Sequence, residues 1–200
     1  MENEHIPSQV TGKKLDITEK RRFPTHTEAF NAFTRTRLRL LDVNHWHEIA
    51  GAPSAQFCLI GLDGQPAAGH PQLGNYVRID IPGPGSPKGD GYDWVAVTHM
   101  EDKPMQGFTQ FTLRPSPPPT TDSSDVAHFF HQYASSTFQI SVYENELHIS
   151  YFGRNEEINL ENDDFVDNFR NAIIGLGAKL GFSYPQWKKL VHGLLEESDK

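Results

Sequence analysis

The most chemical-looking stretch of this chain is His45-Trp46-His47-Glu48. In an extended backbone His45 and His47 would point to one side, where both could ligate a metal while Trp46 faced the core. A third ligand would have to come from afar, from His70, His99 or the pair His128 and His131. The plainer reading has Trp46 anchoring the end of a preceding helix and its neighbours in solvent. With ten histidines in 200 residues, ligand-like pairs arise readily by chance, so no bound metal and no cofactor are expected.

Three further clusters invite chemistry. His128 and His131 flank Phe129 and Phe130 at helical spacing, but the HExxH arrangement of zinc hydrolases is absent, and they read as the polar shoulder of a buried aromatic face. Residues 82–91, PGPGSPKGDG, resemble a phosphate loop only in their glycines. Phosphate cradles use converging backbone N–H groups at a helix N-terminus, and three prolines remove three donors. The segment reads as a long loop between strands that could rim a pocket. Arg154, in Gly153-Arg154-Asn155-Glu156-Glu157, could clamp a carboxylate with two hydrogen bonds, although a turn with Arg154 paired to a neighbouring acid is the simpler outcome. No Gly-x-Ser-x-Gly elbow, GxGxxG or CxxC occurs.

Composition narrows the classes. A single cysteine, Cys58, excludes an intramolecular disulfide, and its place in Phe57-Cys58-Leu59-Ile60 reads as a small buried hydrophobe. Net charge is −8. The eight basic residues of 13–39 are interleaved with acids, so a nucleic-acid partner is not expected. The polar N-terminus lacks a signal-peptide core, and no apolar run is long enough to span a bilayer; the expected location is cytoplasmic. Mean hydropathy is low at −0.56, yet 13 Phe, 6 Tyr and 3 Trp supply the bulk of a core.

The elements that must position these residues follow from their spacing. Residues 1–24 form a polar N-terminal arm with a weak strand-like run at 13–18. Residues 25–200 read as one α+β domain with a proline-rich connector at 115–124. Thr25-His26-Thr27-Glu28 is a capping box, predicting a helix over 26–41, although residues 34–43 also alternate as a strand would. Strands are predicted at 55–62, 76–81, 92–99, 108–113, 137–143 and 147–152, with Val77, Ile79 and Ile81 facing inward. The short Gly- and Pro-rich linkers favour antiparallel neighbours. Val126, Phe129, Phe130 and Tyr133 predict a short helix between strands. Helices are also predicted from Asn162 and from Ser183-Tyr184-Pro185-Gln186, the last carrying Trp187, Leu190, Val191, Leu194 and Leu195 on one stripe.

The fold expected is therefore α+β, with six or seven antiparallel strands in a curved sheet. One helix precedes the strands, one short helix lies among them, and two C-terminal helices pack on the sheet. This element order resembles that of helix-grip folds, which enclose a lipid-sized cavity; no residue motif carries the likeness. The favoured function is a non-catalytic domain that binds a small apolar ligand or a partner protein, with His45, Trp46, His47, Trp94 and Arg154 as candidate contacts. The alternative is an enzyme using histidine acid–base chemistry in a pocket lined by His45, His47 or His99.

Overall fold

The structure, a computed structural model, describes residues 5–52, 54–81, 89–121, 125–157 and 185–196. The helix expected from Asn162 and most of the 82–91 loop lie outside the described residues.

Seven antiparallel strands form one sheet in the order β1-β7-β6-β5-β4-β3-β2. They are β1 (Lys13–Arg22), β2 (Gln56–Ile60), β3 (Tyr76–Asp80), β4 (Asp93–Lys103), β5 (Phe108–Pro115), β6 (Ser135–Tyr143) and β7 (Glu146–Glu156). Strands β2 to β7 pair with their chain neighbours, through tight turns only at β4–β5 and β6–β7, and β1 closes against β7. The turns are those the residues favour: Asp63-Gly64 and Glu144-Asn145 carry positive φ at Gly64 (75°) and Glu144 (52°).

Helix α1 (His26–Leu41) runs through the segment whose alternation also suited a strand. Its N-cap forms as the capping box requires, with Thr25 Oγ1 accepting from Glu28 N at 3.2 Å. A 3-10 turn (Val43–His45) and the five-residue α2 (Trp46–Ala50) follow. A third helix, α3, spans 185–195. Leu190, Val191 and Leu194 of α3 are buried in the main core, together with Phe33, Leu40 and Leu41 of α1 and the inward residues of the sheet. Burying side chains of this size removes roughly 1.5–3 kcal/mol each of exposure cost, which is why α3 belongs to the fold and not to solvent.

Two features lock α3 in place. Arg39 donates to the carbonyls of Gly193 (2.8 Å), Leu194 (3.2 Å) and Glu196 (2.8 Å), a cation on the carbonyls of a helix C-terminus, and Thr36 Oγ1 also donates to Leu194 O at 3.4 Å. At Gly193 the backbone comes so close to the Ile49 carbonyl of α2 that no Cβ fits between them.

The predicted short helix at 126–133 does not form. Its backbone groups bond to strand ends: Ala127 N donates to Ser116 O, Ala127 O accepts from Trp94 N, and His131 N donates to Glu157 O. These bonds draw the segment out along the end of the sheet, which a helix closing on itself could not reach. Tyr133, assigned by helical spacing to the inner face, is 63% exposed.

The interior of the sheet is filled with rings. Trp46, fully buried, lies within 4.8 Å of Phe138, 5.3 Å of Phe57 and 6.3 Å of Trp187, measured between ring centroids. Its indole N–H donates to Leu40 O at 2.8 Å, so the residue closes off α1 and anchors the core together.

Candidate ligand-binding site

The aromatic filling stops short of the end of the sheet where α3 begins. There a recess opens between the first turn of α3, β2, β3, the start of β6 and the extended segment 125–134. Its cavity volume is about 50 Å³, and it opens directly to solvent. Phe57, Ile79, Phe129, Phe130 and Trp187 make it apolar. Each arrives by a different local rule. Phe57 and Ile79 are inward positions of alternating strands that pair with each other. Trp187 opens the buried stripe of α3 and stacks on Tyr151 with centroids 5.3 Å apart. Phe129 and Phe130 lie against one another at 4.3 Å where the chain bends at residues 128–129.

The polar groups of the recess are few and committed. Gln186 accepts from Ala55 N at 3.3 Å. His128 Nδ1 accepts from Phe130 N at 2.9 Å, which leaves the ring proton of the neutral form on Nε2. Ser136 is the first inward residue of β6, two positions before the core residue Phe138, and its hydroxyl meets Tyr151 Oη at 2.9 Å. Tyr151 Oη donates in turn to Glu156 Oε1 at 3.3 Å. A phenol has one proton, so Ser136 is the donor to Tyr151, and the Ser136 oxygen keeps its own lone pairs for a donor in the recess.

The end of β7 is shaped to deliver that carboxylate. Asn155 adopts φ of 54°, and its side-chain Oδ1 accepts hydrogen bonds from Val10 N (2.7 Å) and Thr11 N (3.1 Å). This turn sends Glu156 back over Gly153, where a Cβ would overlap Glu156 Oε1. A side chain at 153 would have to push the Glu156 carboxylate away from this position. Burial pushes the Glu156 carboxyl above its usual range, with the Tyr151 hydrogen bond opposing. Burial likewise holds Tyr151 well above the ordinary phenol value, so it stays a neutral donor.

The residues singled out from the sequence are dispersed. The tetrapeptide at 45–48 is helical, not extended, so His45 and His47 diverge. His45 is exposed and bonds Asp42 at 2.8 Å, which raises its pKa. His47 Nε2 is 3.8 Å from Glu48. Trp46 is core. Trp94 packs in a separate small cluster with Ile60 and Ala127, its Nε1 donating to Gly89 O at 3.2 Å. Arg154 is buried but turned to the outer face, ion-paired with Asp16 and bonded to Gly153 O at 2.8 Å. None of His45, His47 and His99 lines the recess. A bulge in β4 between Val97 and His99 explains the last: alternation would point His99 inward after Val95 and Val97, and the extra residue turns it outward.

Sequence reasoning missed Ser136, Tyr151 and Glu156. The first two carried a signal, polar residues at inward positions among Phe138, Ile140, Leu147 and Ile149. Glu156 reaches the site only through the positive φ of Asn155, which the alternation of β7 does not show.

No family model matches the chain, and no curated protein matches it in sequence. Solved structures do match in shape. A hypothetical protein from Helicobacter pylori superposes with a TM-score of 0.54 at 10% identity, covering 92% of this chain and 87% of that one. A protein from Mycobacterium smegmatis gives 0.45 at 12% identity over 94% and 92% of the two chains. The Zhui aromatase/cyclase of Streptomyces sp. R1128 gives 0.46 at 10% identity over 92% and 91%. The fold is α+β, a curved seven-stranded antiparallel sheet with helices, and its likeness to the Helicobacter pylori protein is one of fold alone. No helix among the described residues is long and apolar enough to cross a membrane.

Proposed function

We propose that this protein binds a small, mostly apolar ring compound bearing one hydrogen-bond donor, held in the recess beneath the first turn of α3. The observation that carries this reading is the chain Ser136–Tyr151–Glu156 leading away from a largely apolar recess whose other polar side chains, Gln186 and His128, are already bonded to backbone. Phe129, Phe130 and Trp187 offer faces and edges to a flat ring, in the geometry aromatic pairs favour. A ligand O–H or N–H would donate to Ser136 Oγ, which donates to Tyr151, which donates to Glu156. Each bond polarises the next, and the series ends on an acidic group. The likeness to helix-grip structures agrees with a ligand role but does not specify the ligand.

The test compares p-cresol with toluene, which differ by a hydroxyl, by isothermal titration. Wild-type protein should prefer p-cresol by about fivefold, the worth of roughly 1 kcal/mol for one net hydrogen bond. Ser136→Ala should erase the preference without unfolding the protein. Equal binding of both by the wild type, or a preference that survives S136A, contradicts the reading.

A further inference from the structure

On the opposite face of the sheet, the β4 bulge that turns His99 outward also places it in register with Glu101, since residues two apart on a strand share a face. A third group reaches them from the N-terminus. The arm preceding β1 is tied to β7 by Asn155 at Val10 and Thr11, and its other end stacks His5 on His99, with ring centroids 4.7 Å apart and an angle of 24°. Since β6 and β5 separate β7 from β4, residues 5–11 cross the outer face of the sheet.

We propose that His5, His99 and Glu101 form a binding site for a divalent transition-metal ion of the zinc class, clipping the arm to β4. One donor atom from each of the three residues lies within 4.8 Å of the other two. His5 Nε2 stands 3.8 Å from Glu101 Oε2, too far for a hydrogen bond. That pair is close to the roughly 3.3 Å between ligands on a tetrahedral centre with bonds of about 2.0–2.1 Å, and with all three donors within 4.8 Å of one another a contraction on the scale of side-chain adjustment closes the site. His99 Nε2 is sealed from solvent and has no hydrogen-bond partner, a costly state for a buried nitrogen that a metal bond would relieve. The carboxylate is already divided between two roles: Oε2 faces His5, while Oε1 is ion-paired with Lys103. Coordination through Oε2 would keep the lysine as an outer partner that fixes the carboxylate. Two imidazoles and one carboxylate suit zinc, cobalt and nickel better than the harder calcium or magnesium, and leave a fourth position for water.

Titration of untagged full-length protein with Co²⁺ tests this directly. One ion per chain should bind, with the intense visible absorption of low-coordinate cobalt, and Zn²⁺ should displace it. His5→Ala lies on an exposed arm residue and should leave the fold intact while weakening binding at least tenfold. His99→Ala should do the same, and His70→Ala should bind as the wild type does. Absence of saturable binding, or H5A and H99A proteins that bind like the wild type, would overturn the proposal and mark any cobalt uptake as adventitious.

Discussion

Tyr151 and Glu156 meet through a single hydrogen bond of 3.3 Å, with the tyrosine fully buried and the carboxyl held above its usual pKa mainly by burial. The pairing joins residues five apart on one strand, which a regular strand would place on opposite faces. It exists because Asn155 turns the backbone and Gly153 leaves space.

That environment makes stability depend on pH in a defined direction. A carboxyl whose folded pKa is raised favours the fold when protonated, so its contribution is complete below the unfolded value of about 4.3. It is lost as pH rises through the folded value. Glu156→Gln cannot ionise. The variant's melting temperature, compared with that of the wild type, should therefore be relatively higher at pH 7 than at pH 4. A difference that is constant, or larger at pH 4, contradicts the assignment.

Gly193 should not accept a side chain. Helix interiors ordinarily favour alanine over glycine by about 0.5–1 kcal/mol. Here a Cβ would collide with the Ile49 carbonyl, a backbone atom that cannot swing aside. Gly193→Ala should lower stability in denaturant melts by about 1–3 kcal/mol, as overpacking does. A neutral or stabilising result would mean that α3 does not rest on α2 this closely.

Trp187 touches Trp46, Phe57, Phe138 and Tyr151, so it joins α3 to the central ring cluster. Trp187→Ala should cost about 3 kcal/mol, the low end for a large aromatic because Trp187 is only partly buried, still a large share of the roughly 5–15 kcal/mol that stabilises a typical domain. A stop codon after Gly181, which removes α3 whole, should yield protein that aggregates or melts far lower. A cooperative, nearly unchanged melt would show that α3 is a detachable docking element.

Legibility in the sequence tracked how local the deciding force is. β3 was readable because Val77 and Ile79 alternate with Arg78 and both are buried as expected. The N-cap of α1 needed only Thr25 and Glu28. The 126–133 helix was misread because apolar spacing at i, i+3, i+4 does not reveal that Ser116, Trp94 and Glu157 compete for its backbone. The outward position of His99 follows from one bulge residue, which simple alternation along β4 does not show, since each extra residue reverses every later position. His45 and His47 depended on an extended backbone that helix α2 replaced. The recess itself was not legible, because it joins β2, β3, β6, the 125–134 segment and α3, elements distant in the chain.

The central claim, a ring-binding recess with a donor-selective floor, is tested most directly by locating a ligand. Protein with ¹³C-labelled aromatic side chains should be titrated with p-cresol and followed by NMR. Saturable shifts should appear at Trp187, Phe129, Phe130 and Tyr151 together, and the Tyr151 shifts should shrink in Ser136→Ala. Shifts confined to exposed rings such as Tyr133 and Tyr143, or none that saturate, would contradict the account.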